Sequence, residues 1–544
     1  MARHESAFKD NPNQREIAKK LGIPRSTLQH WINRKNSIDA EPEVKDFFES
    51  PAGTAFLHRL VIAAQFVITL LGPGSVRLVC QFLELSGLSA FIAASYGSQQ
   101  KVSAAIEKAT VDFGKKETEN MAKDMKPKDI AVCPDETFHP ETCLVAIEPE
   151  SNFILLETYA DGRKGSDWMK AMEDALIALP VTIIQAASDY GTGIVNYVKN
   201  LLGAHHSPDI FHIQYEVVKA TSAALGSKVK AALKTLESAS AAVNRCIDQQ
   251  VAYQNKGSQP GRKPQFDRKI QIALKKEAEA LQALEVARLH QKRLQEANRN
   301  LSNNYHPVNL ETGELMDTQQ VANLLNQSFN EIAIVANEIQ LSASSIKKIT
   351  KARKSVVDML ATISFFHFTI QAKIEALSLA PTVESAVLEH LIPAFYIRRV
   401  AQKAKTAEDR RRLQAKSDQM LAQLNSCDSP FSDLSKDEIS VIENVAQECV
   451  GLFQRSSSCV EGRNGQLSLR HHGLHRLSNR KLSALTVVHN FFIKRQDETT
   501  AAERFFGKKP NDLFSFLLDE VDIPGRPAKK RFKPEVKTQL IAVG

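Results

Sequence analysis

At Lys126-Pro127-Lys128 the texture of the sequence changes. Upstream, from residue 41, the apolar pattern is helical; downstream, residues 130–132, 143–147 and 153–158 are short β-prone runs parted by turn residues, which read as three consecutive strands. Residues 167–179 then return to a helical period that Pro180 ends. Residues 181–187 are a further apolar strand closing on Ser188-Asp189-Tyr190-Gly191, followed by a helix over 194–202 and a strand over 210–213. A β-β-β-α-β-α-β series can bury its apolar faces only as an α/β sheet with helices packed on it.

The rest of the chain is helical in character. Residues 216–455 contain a stripe of Ile270, Leu274, Leu281 and Leu284 among Lys, Glu, Gln and Arg, which predicts a long helical hairpin. The Gly- and Lys-containing run 257–263 and Asn303-Asn304-Tyr305-His306-Pro307 are its breaks. A chain of 544 residues exceeds what one hydrophobic core supports, so several domains are expected. The boundaries fall at 1–40, 41–126, 127–220, 221–450, 451–520 and 521–544, the last a basic tail with the composition of a disordered segment.

Residues 13–35 place Ile17, Ala18, Leu21, Ile23, Leu28, Trp31 and Ile32 as two short helices around Gly22, with Pro24 suited to opening the second. That is helix-turn-helix spacing, and Arg25, Ser26, Thr27, Gln29 and His30 would face a DNA major groove with Arg34 and Lys35 flanking it. A generic helical hairpin is the alternative. A second helix-turn-helix within 75–113, around Ser86-Gly87-Leu88, competes with plain helix packing. The net charge of +8 suits a polyanionic partner. Seven cysteines without a CxxC pair suggest neither a zinc ribbon nor a disulfide framework, and the apolar stretch 60–71 is too short to cross a bilayer. The expected setting is the cytoplasm.

Chemistry would come from acids. Metal-assisted phosphodiester cleavage needs carboxylates converging from separate elements, because hard divalent cations take oxygen ligands and offset the charge on the attacking and leaving oxygens. Asp135 follows the first strand, and Asp189 sits at the C-terminal end of the fourth. As alternatives, Asp135 is a turn residue beside Glu136, and Asp189 caps the next helix.

This arrangement resembles the RNase H-like core of DDE transposases. Residues 456–473, SSSCVEGRNGQLSLRHHG, are similar to the helix in bacterial insertion-sequence transposases that presents a third acid, here Glu461, with Glu443 and Glu448 as competitors. Residues 485–514 look like that family's closing segment, except that Glu498 stands where glycine is usual. The resemblance covers 130–220 and 450–520, and implies an RNase H-like α/β core interrupted by a large all-α insertion, with an N-terminal helix-turn-helix. It further implies DNA cleavage and strand transfer at transposon ends by Asp135, Asp189 and Glu461 holding two Mg²⁺ or Mn²⁺ ions. Terminal repeats and target DNA would be the partners, in a homo-oligomer of nucleoid-associated bacterial protein. Asp209, His212, Arg463 and Asn464 are candidate auxiliaries, the last one helical turn from Glu461. A catalytically inert DNA-binding descendant and a structure-specific nuclease are the competing functions.

Overall fold

The computed structural model describes residues 13–20, 22–35, 40–138, 140–426, 428–474 and 477–524. The side chains of His30, Arg34 and Lys35, and the tail beyond residue 524, lie outside the described residues.

The sheet has five strands: β1 (Lys128–Phe138), β2 (Thr142–Glu148), β3 (Phe153–Tyr159), β4 (Val181–Ser188) and β5 (His205–Pro208). Their order is β3-β2-β1-β4-β5, with β1–β2 and β2–β3 antiparallel and β1–β4 and β4–β5 parallel. The crossovers are α7 (Gly165–Leu176) and α8 (Thr192–Asn196), which runs on into a π-turn at Tyr197–Leu202. One predicted element is corrected. Residues 210–213 are not the fifth strand; His205–Pro208 are, and Ile210 already opens a helix because Asp209 caps it, accepting the Phe211 N–H at 2.7 Å.

Before the sheet come α1 (Gln14–Lys20), α2 (Arg25–Lys35), α3 (Pro42–Glu49), α4 (Pro51–Gln65), α5 (Val76–Leu85) and α6 (Tyr96–Ala122). In α1 and α2, buried Ile17, Ala18 and Leu28 form a small core of their own, with Gly22 at φ +63° in the turn, a conformation only glycine adopts without strain. Between α5 and α6 lie residues 86–95 with a short 3₁₀ turn, longer than a helix-turn-helix connection, and α6 buries Val102, Ile106 and Phe113 in the core it shares with the sheet, Phe113 against Phe491 and Phe516.

After the sheet, α9 (Ile210–Asn255) and α10 (Phe266–Asn304) form the expected hairpin. Of the predicted stripe, Leu284 is buried and Ile270 half-buried. Leu274 and Leu281 are 41% and 46% exposed, whereas Phe266, Ala273, Ala280, Ala287, Leu294 and Leu301 are buried at strict seven-residue spacing. The contact runs on small residues that let the helices approach. Then follow α11 (Thr318–Glu338), α12 (Ala343–Lys354), α13 (Val356–Glu375), α14 (Pro381–Ala386), α15 (Ile392–Gln402), α16 (Ala407–Leu424) and α17 (Lys436–Gly451), around a second large core. Helix α13 covers the β5 edge, with Thr362 Oγ1 donating to Ser207 Oγ at 3.3 Å and the Phe365 ring stacked on His205 at 4.5 Å, so the strand's outer side is not left open.

Finally α18 (Ser458–Leu474), α19 (Asn479–Phe491), α20 (Ala501–Phe506) and α21 (Leu513–Glu520) return to the sheet. Val460, Leu467, Leu485, Phe505 and Leu517 share one core with Val132, Val145 and Ala186, so the C-terminal stretch completes the sheet domain across the helical region. Two helical stretches, Pro51–Leu71 and Ala343–Glu375, have the length and mean hydropathy (1.7 and 1.2) of a membrane span. Buried Val61, Ile62, Phe66 and Leu70 on the first, and Met359, Ile363 and Phe366 on the second, belong to protein cores.

The turn before α20 bears on the Glu498 departure. Glu498 has φ +60°, the left-handed region, in a turn where Asp497 Oδ1 accepts the Thr499 N–H at 2.9 Å. Among the described residues its ion pair is an exposed one to Lys494, worth little. Glu498→Gly should therefore stabilise the protein by about 0.5–1 kcal/mol, the relief of left-handed strain outweighing glycine's entropy cost. A thermal melt showing no gain, or a loss, would refute this.

Candidate active site

Asp135 and Asp189 meet because of register. Val132 on β1 lies opposite Ala186 on the parallel β4, and three residues beyond that pair stand Asp135 and Asp189, at the same level; Asp189 follows the end of β4, whereas Asp135 does not follow the first strand as expected but lies within it, because β1 runs on to Phe138 against β2. Across the sheet in the other direction, Asp135 pairs with Val145, and Val145 with Glu157 on β3. Cross-strand partners point to one face, so Asp135 and Glu157 share it.

Helix α18 lies over that face and is fastened at two points. Arg463 makes a buried bidentate pair with Glu157, Nε to Oε1 at 2.7 Å and Nη2 to Oε2 at 2.6 Å, and the Thr486 hydroxyl donates to the same carboxylate at 2.6 Å. The two side chains are 5% and 0% exposed. Asn464 Nδ2 donates to Asp135 Oδ2 at 2.7 Å, and the Glu136 N–H to Oδ1 at 2.8 Å. Glu461 stands exposed in the first turn of α18, one helical turn before Asn464 and on its side of the helix.

The three acids feel one another. The Asp135 carboxyl is pushed up to about 7, chiefly by burial; the Glu136 N–H pulls it down, while the negative charges of Asp189, Glu461 and Glu136 push it further up. Among the described residues no three His, Cys, Asp or Glu side chains already surround a single point at ligating distance. The donors are nonetheless hard oxygens of the kind Mg²⁺ and Mn²⁺ take, and a repelling carboxylate cluster gains most from a cation. The buried Asn464 Oδ1 has no partner, leaving a further oxygen beside Asp135.

Asp189 does two things. Its Oδ1 also accepts the Gly191 N–H at 2.9 Å, so the loop after β4 is turned by the same carboxylate. That loop is pinned elsewhere: a Cβ on Gly193 would stand 1.9 Å from the Arg163 carbonyl oxygen, so only glycine fits the approach.

The auxiliaries separate. Asn464 reaches the site. Arg463 is fully engaged by Glu157 and is a fastening of α18 rather than a phosphate contact. Asp209 is buried and accepts the Ser457 N–H at 3.2 Å together with the Ser457 hydroxyl, tying the start of α9 to the residue before α18. His212 sits half-buried in the first turn of α9. Glu443 and Glu448 lie on α17, whereas Glu461 is the acid whose charge reaches Asp135. In α2, Arg25 and Ser26 are exposed and Thr27 and Gln29 half-buried.

Several neighbours of the site carry no sequence signal. Buried His206 places Nε2 3.0 Å from Ser188 Oγ and 3.3 Å from the Asp189 carbonyl oxygen, and burial lowers its pKa, keeping it neutral. The Tyr190 hydroxyl donates to Asp358 on α13 at 2.9 Å, and Trp168 Nε1 to Glu136 at 3.2 Å. His206 is invisible because His-His-Ser-Pro lacks the β-branched residues that mark a strand, and the other two because their partners are remote in sequence.

Comparison with known families finds one match, to DUF6399, a family of unknown function, over residues 387–533. The matched stretch takes in α18 with Glu461, Arg463 and Asn464, and the helices that follow. No curated protein and no solved structure matches significantly.

Proposed function

We propose that this chain is a metal-dependent DNA-cleaving and strand-transferring enzyme, a DDE-type transposase with an RNase H-like core. The observation that carries the reading is the convergence on Asp135 of carboxylates from residues 189 and 461, on separate elements, with enough mutual repulsion to help hold Asp135 near 7. Three antiparallel strands followed by two parallel ones, with acids after β4 and on a late helix, support it further.

Asp135, Asp189 and Glu461 would hold Mg²⁺ or Mn²⁺, which supplies charge neutralisation for an in-line attack on a phosphodiester. The chain's own contribution is positional. Asn464 orients the Asp135 carboxylate, Arg463–Glu157 fixes the helix that brings Glu461, and the Gly191 N–H sets the Asp189 rotamer. Helices α1 and α2 would supply DNA recognition through Arg25, Ser26, Thr27 and Gln29, and the joining of two ends calls for more than one copy.

The test is cleavage and joining of labelled DNA carrying the ends of the protein's own element, with Mg²⁺ or Mn²⁺, by wild type and Asp189→Ala. Metal-dependent products from wild type alone support the reading. Binding without cleavage under every metal condition would turn it toward an inert DNA-binding protein; cleavage without joining, toward a nuclease.

A further inference from the structure

Helix α12, Ala343–Lys354, carries Lys347, Lys348, Lys351, Arg353 and Lys354 and no acid. At about 100° per residue, Lys347, Lys351 and Lys354 fall within a sector of about 60°, with Lys348 on its flank. The opposite side is the packed one: Ile349, Ala352 and Val356 are buried. Arg353 turns inward to Asn326 on α11 at 3.1 Å, whereas the four lysines are exposed and, among the described residues, none makes an ion pair. Attraction to the negative helix C-terminus accounts for the last turn but not for Lys347 and Lys348.

The stripe leads somewhere. Ser355 keeps right-handed dihedrals (φ −64°, ψ −15°), so the face of α12 carries over into α13, where Asp358 continues the line of Lys347, Lys351 and Lys354. Asp358 is held by the Tyr190 hydroxyl at 2.9 Å and by Lys199 at 3.5 Å, and Tyr190 is the residue after Asp189. A row of cations about 10 Å long, without ion pairs among the described residues, therefore points along the helix toward Asp358, whose partner Tyr190 is the chain neighbour of Asp189.

We propose that the lysine face of α12 is a contact surface for the DNA phosphate backbone, guiding a strand toward Asp135 and Asp189. The proposal rests on the reading above for its destination. Its length matches about three successive phosphates of one strand, at about 3.4 Å of axis each. Exposed lysines suit this task, since each is a mobile point charge that follows a backbone without reading bases. Phosphate repelled by the acids would be drawn in by cations on the same approach.

The test is the salt dependence of binding to a fluorescent mixed-sequence DNA duplex a few turns long, by anisotropy. Wild type is compared with a variant carrying Lys347→Gln, Lys348→Gln, Lys351→Gln and Lys354→Gln. A second variant, with Lys101, Lys108, Lys115 and Lys123 changed to Gln at and after α6, removes the same charge elsewhere. The α12 variant should melt as wild type does, lose about 3 of the slope of log K against log salt, and bind at least about tenfold more weakly at moderate salt. The α6 variant should keep the wild-type slope. Equal losses in both variants, or an unchanged slope in the first, overturn the proposal. Capture of wild type by phosphatidylserine vesicles with no duplex binding overturns it too, in favour of a membrane surface. A lysine-dependent slope in a protein that never cuts DNA upholds this surface while removing the catalytic reading.

Discussion

Asp135→Asn should cost the enzyme its cleavage activity, by on the order of 10³-fold, while making the metal-free protein more stable above pH 7. Both effects come from one charge. The ordinary carboxyl value of 3.8 is raised to about 7 in the fold, so ionising Asp135 works against folding. Its stabilising influence is complete below about 4 and falls away as the pH climbs through 7. With the solvent that reaches this half-buried group allowed for, the deficit at pH 8 is about 1–2 kcal/mol. Asparagine removes it without a packing change. Its Oδ1 accepts the Glu136 N–H, and its Nδ2 donates to Asn464 once that amide turns to present the Oδ1 that now lacks a partner. Melting curves at pH 5 and pH 8 without divalent metal check this: the variant should gain a few degrees at pH 8 and little at pH 5. Equal melting at both values would mean that the Asp135 carboxyl is not raised in the fold as argued.

The largest loss of stability is expected at Glu157 and Arg463. Deleting either partner strands the other charge in a site of 0% or 5% exposure, so Glu157→Ala and Arg463→Ala should each destabilise by about 3–5 kcal/mol. Glu157→Ala also turns the Thr486 hydroxyl from its short bond to the carboxylate to the Leu482 carbonyl at 3.1 Å. The double variant Glu157→Leu with Arg463→Met should recover most of the loss, because a buried ion pair is nearly balanced by its desolvation. Denaturant unfolding of the two single variants and the double variant checks this as a cycle. Single variants within about 1 kcal/mol of wild type would show that the pair does not fasten α18.

The sheet was legible because strand texture and turn residues alternate clearly after Lys126, and Asp189 because it follows an apolar strand directly; Asp135 was expected after the first strand, but β1 runs three residues past it in the hairpin with β2. The fifth strand was not legible. His205–Pro208 has no β-branched residue, and the apolar run beginning at Ile210 looks more like a strand until Asp209 is seen capping α9. The seam of the α9–α10 hairpin was only partly placed: Leu284 is buried as expected and Ile270 half-buried, but Leu274 and Leu281 drew the stripe toward an exposed face, and the alanines that are buried gave no signal. Arg463 looked like a phosphate ligand because its partner, Glu157, lies 306 residues away. Glu461 was found by resemblance, and Asn464 by its spacing of one helical turn from Glu461, which alone ties neither to Asp135.

The central claim is that Asp135, Asp189 and Glu461 form one cation-binding carboxylate site, and Mn²⁺ titration calorimetry tests it most directly. At pH 8 wild type should bind Mn²⁺, more tightly than at pH 6, and near pH 7 it should release protons as Asp135 gives up its own. Asp135→Ala, Asp189→Ala and Glu461→Ala should each weaken that binding sharply. Absence of Mn²⁺ binding to the wild type at pH 8, or binding that all three substitutions leave unchanged, would contradict it.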